Sequence, residues 1–541
     1  MKFKGLFAGM AAAAAASVIF SAGALAYSDV PAGHWAENVI SEATDAGIMQ
    51  GRGNDEFGLG DTIKRSEFAA MLVRLMGWGQ SSDTVSQFED NLPGSWYFGD
   101  VNTLAAHGAD DGNNFRPEDN ITRREMAVML VKALGYDSIA KGQNVSSFSD
   151  VSEDAGYIET ARDFGIITGK SDTVFDPEGP ALREEGAAMM MRLYDKYYSK
   201  LSEIHGFYAI SSWGQRDIAA QMDSVSFGWS RLEYTDSGSV YLNTTTENSN
   251  SWYIPDGYED AVSYIKNGGA EENFAVTMTD TEDCEVILTD PANRESAADM
   301  IITAAEEFDG VTIDFEGMKG AELRNGLNEF VKTIREKLGD KKLYVAVHPV
   351  LKNSAEYYDA YDYRTIGEYA DRVILMAHDY AASTMPDNLL NTDFIDTPVT
   401  PFDEVYYALK KITDPQTGVI DVSKIELGVS LSSTAAWRTE NGKIVENQAV
   451  HPSMETVRKR LAQADTVIRY SDTYRNPYAR YKTEDGSEYV IWYEDSRSIS
   501  DKTELAKMFG IDKISIWRIG EISTGQQEQY MDIWNTVLDE K

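Results

Sequence analysis

From about residue 204 onward, short apolar runs alternate with longer charged stretches rich in helix formers. The runs that read as strands are 205–210, 224–229, 273–278, 310–316, 343–347, 372–377, 425–430 and 513–517, eight in all. Helical patterns such as 322–338 and 403–412 lie between them. This alternation predicts an α/β fold with a parallel sheet joined by crossovers. Eight such units predict a (β/α)8 TIM barrel with insertions over residues 204–541. An open doubly wound sheet is the alternative; the missing Gly-rich phosphate loop after the first strand counts against it.

The first 200 residues follow a different rhythm and repeat themselves three times. Tyr27-Ser28-Asp29, Phe88-Glu89-Asp90 and Phe148-Ser149-Asp150 align, with their aspartates 61 and 60 residues apart. Each opening leads to an aromatic (Trp35, Trp96, Tyr157), a Gly-containing turn, and a pentapeptide: Ile63 to Glu67, Ile121 to Glu125, Ala181 to Glu185. The segments that follow carry apolar residues at helical spacing. Units this small cannot bury their apolar faces alone, so a mainly α-helical domain of three mutually closing repeats is expected, with boundaries 27–86, 87–146 and 147–203.

Arg65, Arg123 and Arg183 fall in the first helical turn of each repeat, where the helix dipole disfavours a cation. Thr122 and Glu125 form a capping box, whereas Lys64 and Leu182 occupy the other cap positions and predict free amides there. Free amides beside an arginine predict an anion pocket; simple pairing of each arginine with a neighbouring carboxylate is the alternative.

The chain has 541 residues and is 43% hydrophobic, enough for at least two domains. Lys2 and Lys4 precede an apolar run ending in Ala24-Leu25-Ala26, which predicts an export signal over 1–26 and a mature start at Tyr27; a retained membrane anchor is the alternative. Cys284 is the only cysteine, so no internal disulfide holds the exported chain. The formal charge of −39 becomes −41 once the signal lysines are lost, which disfavours nucleic acid and anionic lipid as partners.

The run Gly310 to Glu316 carries the chemistry. Strand alternation puts Thr312, Asp314 and Glu316 on one face and Val311, Ile313 and Phe315 on the other. In a barrel wrapped by helices the polar face looks inward, and Glu316 sits at the carboxyl end, where such barrels keep their chemistry. A solvated edge strand is the plainer reading. Glu316 ends the fourth strand, Met376, His378 and Asp379 end the sixth, and Trp517 ends the eighth. Anionic Asp314 on the same face, plus apolar surroundings, would raise the pKa of Glu316 and keep it protonated as a general acid. Because the two carboxyls share one side of a bound glycosidic bond, the nucleophile comes from elsewhere, and a substrate's 2-acetamido oxygen can supply it. Taken singly, Trp517 reads as core, His378 as a satisfied buried histidine and Asp379 as a helix cap. Asp309 falls on the opposite face from Asp314 and Glu316, and no histidine joins them, so no metal and no cofactor are expected.

Residues 27 to 196 resemble the surface layer homology (SLH) repeats of bacterial cell envelopes, on the Ser-Asp-Val start and the Ile-Thr-Arg-x-Glu pentapeptide. That resemblance implies binding of a secondary cell wall polymer, with Asp29, Trp35 and Arg65, and Asp90, Trp96 and Arg123, lining two grooves. Asp150 and Arg183 would serve a third, which departs by having Tyr157 for Trp and Ala181-Leu182 for Ile-Thr. Residues 204 to 541 resemble family 18 glycoside hydrolases, in the style of the spore cortex-lytic N-acetylglucosaminidases, through Asp309 to Glu316, Met376 to Asp379 and Ile516 to Arg518. The resemblance implies that Glu316 protonates the leaving oxygen, Asp314 orients the acetamide, Asp379 contacts the sugar and Trp517 floors its ring, with Thr312, His378, Met376 and Tyr208 also near substrate and Asp309 structural. Thr312 stands where the family usually has Asp, Phe207-Tyr208 where it has paired tyrosines, and His378 where it has Tyr. The expected function is hydrolysis of an amino sugar polymer, peptidoglycan or chitin-like, by a secreted protein held in the cell wall. The alternative is a non-catalytic carbohydrate-binding surface layer protein on a degenerate barrel.

Overall fold

The computed structural model describes residues 27–110, 112–353, 358–525 and 530–541. The expected export signal lies outside the described residues, and no helix among those described is long and apolar enough to cross a membrane. The chain divides into two compact units. The first holds residues up to 135 with 148–154 and 169–192; the second holds 136–147, 155–168 and 193–541, so the division cuts across the third repeat.

In the first unit, the helices Arg65–Leu75, Arg123–Ala133 and the start of Arg183–Tyr197 begin at the three pentapeptides. Bridges Thr62 to Leu182, Lys64 to Asn120 and Thr122 to Pro180 join the segments just before these helices into a ring. The arginines close that ring. Arg65 donates to Phe115 O and lies over the Phe115 ring, Arg123 does the same at Phe175, and Arg183 at Phe57. Each repeat thus inserts its arginine into the loop of the next. This corrects the expectation of free amides at the helix starts: Arg65 N and Ser66 N donate to Asp119 O and Pro117 O, Arg123 N to Gly179 O, and Arg183 N to Asp61 O. The threefold closure brings carbonyls of the neighbouring loop across each helix start, and those carbonyls satisfy the dipole that an anion was expected to satisfy.

In the second unit, the barrel strands are β1 (Glu203–Tyr208), β2 (Ser224–Tyr234), β3 (Glu271–Met278), β4 (Gly310–Phe315), β5 (Lys342–Val347), β6 (Arg372–Leu375), β7 (Ile425–Ser430) and β8 (Lys513–Ile519). All eight sequence-predicted runs are present. Every neighbouring pair is parallel, and β1 pairs with both β8 and β2, so the sheet closes on itself. The register aligns Thr277 with Asp314 across β3 and β4 and Thr312 with Tyr344 across β4 and β5. Val311, Ile313 and Phe315 are buried against the helical layer, Phe315 facing Phe330 of the helix Ala321–Leu338 at 5.3 Å.

Between β7 and β8 the chain builds an antiparallel five-stranded sheet, in the order 443–444, Ala435–Glu440, Glu488–Trp492, Asn476–Lys482, Val467–Ser471. Its own core is formed by Ala436, Ala479, Ile491, Tyr493 and the helix residues Met454 and Val457. The short helices Asp137–Lys141 and Ala155–Asp163 also belong to this unit. Lys410 pairs with Asp163 at 2.7 Å, and the Tyr406 hydroxyl meets the Gln143 amide at 2.9 Å.

Candidate active site at the barrel mouth

Alternation along β4 sends Asp314 into the barrel and leaves Glu316 one residue past the strand at its carboxyl end. Asp314 is 6% exposed, and its Oδ1 has no hydrogen-bond partner among the described residues. The Glu316 side chain is 39% exposed, so it reaches the open mouth. Burial pushes the Asp314 carboxyl well above the usual range, and the Glu316 charge adds to the effect. Burial also raises Glu316; nearby His378 opposes that rise and Asp379 reinforces it. The two carboxyls therefore hold a proton to higher pH than free side chains would. The sequence-based expectation named apolar surroundings and Asp314 together, and burial leads for both groups.

His348, just past β5, is a site residue that sequence reasoning missed. Its Nε2 lies 3.6 Å from Glu316 Oε2 and accepts the Gly317 amide at 3.3 Å. The ring stacks on Tyr358 with centroids 3.9 Å apart. Burial lowers its pKa to about 4, so it is neutral near neutral pH. Tyr361 donates its hydroxyl to Phe315 O at 2.6 Å, pinning the backbone between the two carboxylates. Neither residue belongs to a local motif; both arrive by a crossover, so no spacing along the chain points to them.

Opposite, His378 and Asp379 follow β6. His378 Nδ1 and Asp379 Oδ2 are 2.7 Å apart, and Ser433 donates to Asp379 Oδ1. Burial opposes ionisation of Asp379, but His378 and these hydrogen bonds outweigh it and hold its pKa below the usual value. No helix follows Asp379, so it caps none. Its φ of 58° turns the chain sharply out of the strand, a conformation that Asp tolerates better than most residues. Trp517 and Met376 pack on the inward cluster of Phe207, Tyr344, Ala346 and Ile374. Trp517 also meets Trp252 at 5.7 Å and Phe207 at 5.2 Å, forming an aromatic wall, and the Trp517–Arg518 peptide is cis.

Two expected substrate contacts are corrected. Thr312 is fully buried one pleat below Asp314, and its hydroxyl pairs with Ser226 at 2.6 Å. Ser226 in turn meets His205 Nε2, and His205 Nδ1 meets Ser515, each at 2.7 Å, so Thr312 ends a buried polar chain and is out of reach of a sugar in the mouth. Tyr208 points outward, packing on Phe227 and Trp229 among the helices, because Phe207 takes the inward position on β1. Asp309 accepts the Glu272 amide at 3.0 Å at the base of β3 and β4. Among the described residues no cluster of His, Cys, Asp and Glu suits a metal ion.

In the first unit, the expected polymer-binding residues separate into two groups. Asp29 accepts three amides, from Phe57, Gly58 and Leu59; Asp90 accepts those of Phe115 and Arg116; Asp150 accepts those of Phe175 and Asp176. These aspartates hold the loops of the repeats through their backbone amides while keeping part of their surface open, and Arg65 and Arg123 are buried. Trp35 and Trp96 are 61% and 60% exposed, whereas Tyr157 is buried with its hydroxyl on Asp137. Trp96 and Arg183 do come together: they line a cavity of about 270 Å3 with Arg52, Arg74 and Glu67. Arg52 and Arg74 lie outside the repeated pentapeptide, and no spacing rule singled them out.

A closed eight-stranded parallel barrel with a pair of carboxyls two residues apart and an aromatic wall at its mouth defines the class of the second unit. The profile of glycosyl hydrolases family 18 matches residues 268–521, and the S-layer homology domain profile matches 26–69, 90–127 and 147–187. The chain therefore carries a family 18 glycosyl hydrolase domain behind three S-layer homology repeats. It is 27% identical over 265 residues to a cortical fragment-lytic enzyme of Bacillus anthracis, a match covering 48% of this chain and 56% of that protein. It is 33% identical over 172 residues to an amylopullulanase of Thermoanaerobacterium thermosulfurigenes, covering 30% and 9%. Among solved structures, the spore cortex-lytic enzyme SleL of Bacillus cereus is 21% identical at a TM-score of 0.48, covering 63% of this chain and 75% of that one. The chain spans little more than half the length, or less, of these curated relatives.

Proposed function

We propose that the chain is a glycosidase of the bacterial cell envelope that hydrolyses β-linked N-acetylglucosamine polymers, peptidoglycan foremost, with retention at the anomeric carbon. Glu316 gives its proton to the bridging oxygen as the glycosidic C–O bond breaks. The substrate's own acetamido oxygen attacks the anomeric carbon, and Asp314 accepts the acetamide N–H and stabilises the resulting oxazolinium ion. Water then opens that ring, returning a proton to Glu316. The observation that carries this reading is the Asp314 and Glu316 pair, both raised by burial, with Asp314 inside the barrel and Glu316 reaching the open mouth. Two carboxyls on one side of the bond leave the opposite face to the substrate's own nucleophile.

The first unit supports anchoring to a secondary cell wall polymer. The cavity bearing Arg52, Arg74 and Arg183 beside exposed Trp96 suits an anionic sugar, through guanidinium pairing and ring stacking. The test of the activity is release of reducing ends from a defined muropeptide mixture by the full-length chain, resolved by mass spectrometry. Glu316→Gln should lower kcat by ~100- to 10,000-fold with the melting temperature unchanged. Persistent turnover by that variant would refute the assignment, and glycan binding without turnover by the wild type would favour a lectin.

A further inference from the structure

A second cavity, of about 360 Å3, begins at Tyr380, the residue after Asp379. Its walls are aromatic, supplied by Tyr380, Phe394, Trp437 and Tyr474. Trp437 is 1% exposed, and neither its Nε1 nor the buried Tyr380 hydroxyl has a partner among the described residues. These are polar groups placed in an apolar wall, where burial without a partner is costly. The size is that of a site for a small ligand or a few side chains.

The charge of the lining selects the ligand. Asp396, Asp403 and Glu404 face the cavity, and no Lys or Arg lines it. Asp403 is paired with Lys352 at 2.9 Å, and Glu404 accepts the Lys352 amide at 3.1 Å, so those two are already engaged. Asp396 is exposed at the rim, and no basic side chain among the described residues pairs with it. An aromatic box with one free carboxylate is the chemistry that takes an amine on an aliphatic stem, by cation–π contact and an ion pair together.

We propose that this cavity binds the amine-bearing side chain of a peptide carried by the glycan, so that the preferred substrate is a peptide-substituted strand; this rests on the glycosidase reading above. The sugar beyond the cleaved bond sits at the mouth, and its peptide enters beside Asp379. Asp396 holds the amine, and the rings of Tyr380, Phe394 and Tyr474 wall its aliphatic stem.

The test uses the full-length chain on three strands: peptide-substituted peptidoglycan, the same strand with its peptide amines acetylated, and the same strand stripped of peptide by an amidase. The expected kcat/KM for the first exceeds the other two by ~10-fold or more. Asp396→Asn should bring that ratio close to one. Equal rates on all three strands, or a ratio that Asp396→Asn leaves intact, overturn the proposal while leaving the glycosidase reading standing. If no strand is cleaved, the glycosidase reading fails by itself, and calorimetric titration of the free stem peptide decides the cavity: heat lost on acetylating the amine and in Asp396→Asn supports it, and no difference sinks it.

Discussion

The Nε2 of His348 stands 3.6 Å from Glu316 Oε2 while accepting the amide of Gly317, so one neutral imidazole fixes both the proposed acid and the turn behind it. Since Nε2 accepts, the ring proton sits on Nδ1, and His348 cannot also donate to Glu316. Its part is to hold position. His348→Ala should lower kcat by ~10- to 100-fold with little change in KM, because a loosened carboxyl loses its alignment rather than its proton. Steady-state kinetics on a peptidoglycan fragment check this, and a kcat within twofold of wild type would exclude the role.

Asp379 governs the alkaline limb of the rate. Its negative charge helps keep Glu316 protonated, while His378 acts in the opposite direction. Asp379→Asn removes a charge that disfavours ionisation of Glu316, so the Glu316 pKa falls and the proton is lost at lower pH. The alkaline limb of log kcat against pH should move to lower pH by about one unit, consistent with removal of one nearby charge. A limb that stays in place, whatever the fall in rate, contradicts this electrostatic account.

The eight barrel strands and their inward face were legible because a parallel barrel strand writes its burial locally, in runs bounded by turns. Asp314 and Glu316 were legible for the same reason, lying two apart on one strand. Thr312 and Tyr208 were misassigned because spacing gives a face but not a depth: Thr312 is on the correct face and one pleat too low, and Phe207 rather than Tyr208 takes the inward register. The five-stranded insertion was not read, since its strands pair antiparallel across intervening helix and turns and share a core only once folded. His348 and Ser433 likewise reach the site only through tertiary closure. In the repeats, the arginine pattern was visible but its meaning was not, because a residue bridging to the next repeat looks in sequence like one exposed at a helix start.

That bridging makes Arg65 a stability residue. It is 3% exposed and meets Phe115 O, Asp110 at 2.6 Å and Glu125 at 2.9 Å. Arg65→Ala leaves the Phe115 carbonyl and the Asp110 carboxylate without their cation, Glu125 keeping Arg116, which should cost ~3 kcal/mol. Arg65→Lys should rescue little, since an ammonium cannot reach all three partners with the guanidinium's planar geometry. Melting should therefore fall in both variants, and loss of wall-polymer binding should follow melting rather than precede it. A variant that binds no polymer at an unchanged melting temperature would instead make Arg65 a ligand contact.

Glu426, on the inner face of β7, sets how the barrel responds to alkali. It is wholly buried, 3.6 Å from His205 and 3.5 Å from Arg372 Nε. Burial raises its pKa to about 8 despite Arg372, and burial lowers that of His205 to about 3, so at neutral pH the contact is between an uncharged carboxyl and an uncharged imidazole. In the unfolded chain the carboxyl ionises at its ordinary value near 4.5. The folded state therefore holds the proton more tightly, and its contribution, full below pH 4.5, is lost as pH rises toward about 8. At ~1.4 kcal/mol per unit, the loss by pH 7 is on the order of 3 kcal/mol. His205 acts in the acid range: the unfolded imidazole gains a proton below its ordinary 6.5 and the folded one does not, so stability falls from there toward about 3. Glu426→Gln keeps the shape without the ionisation, and should raise the melting temperature at pH 8–9 while changing it little near pH 4.5. Melting curves across that range for both proteins decide the matter: parallel pH dependences would mean that Glu426 is already ionised in the fold and compensated by Arg372.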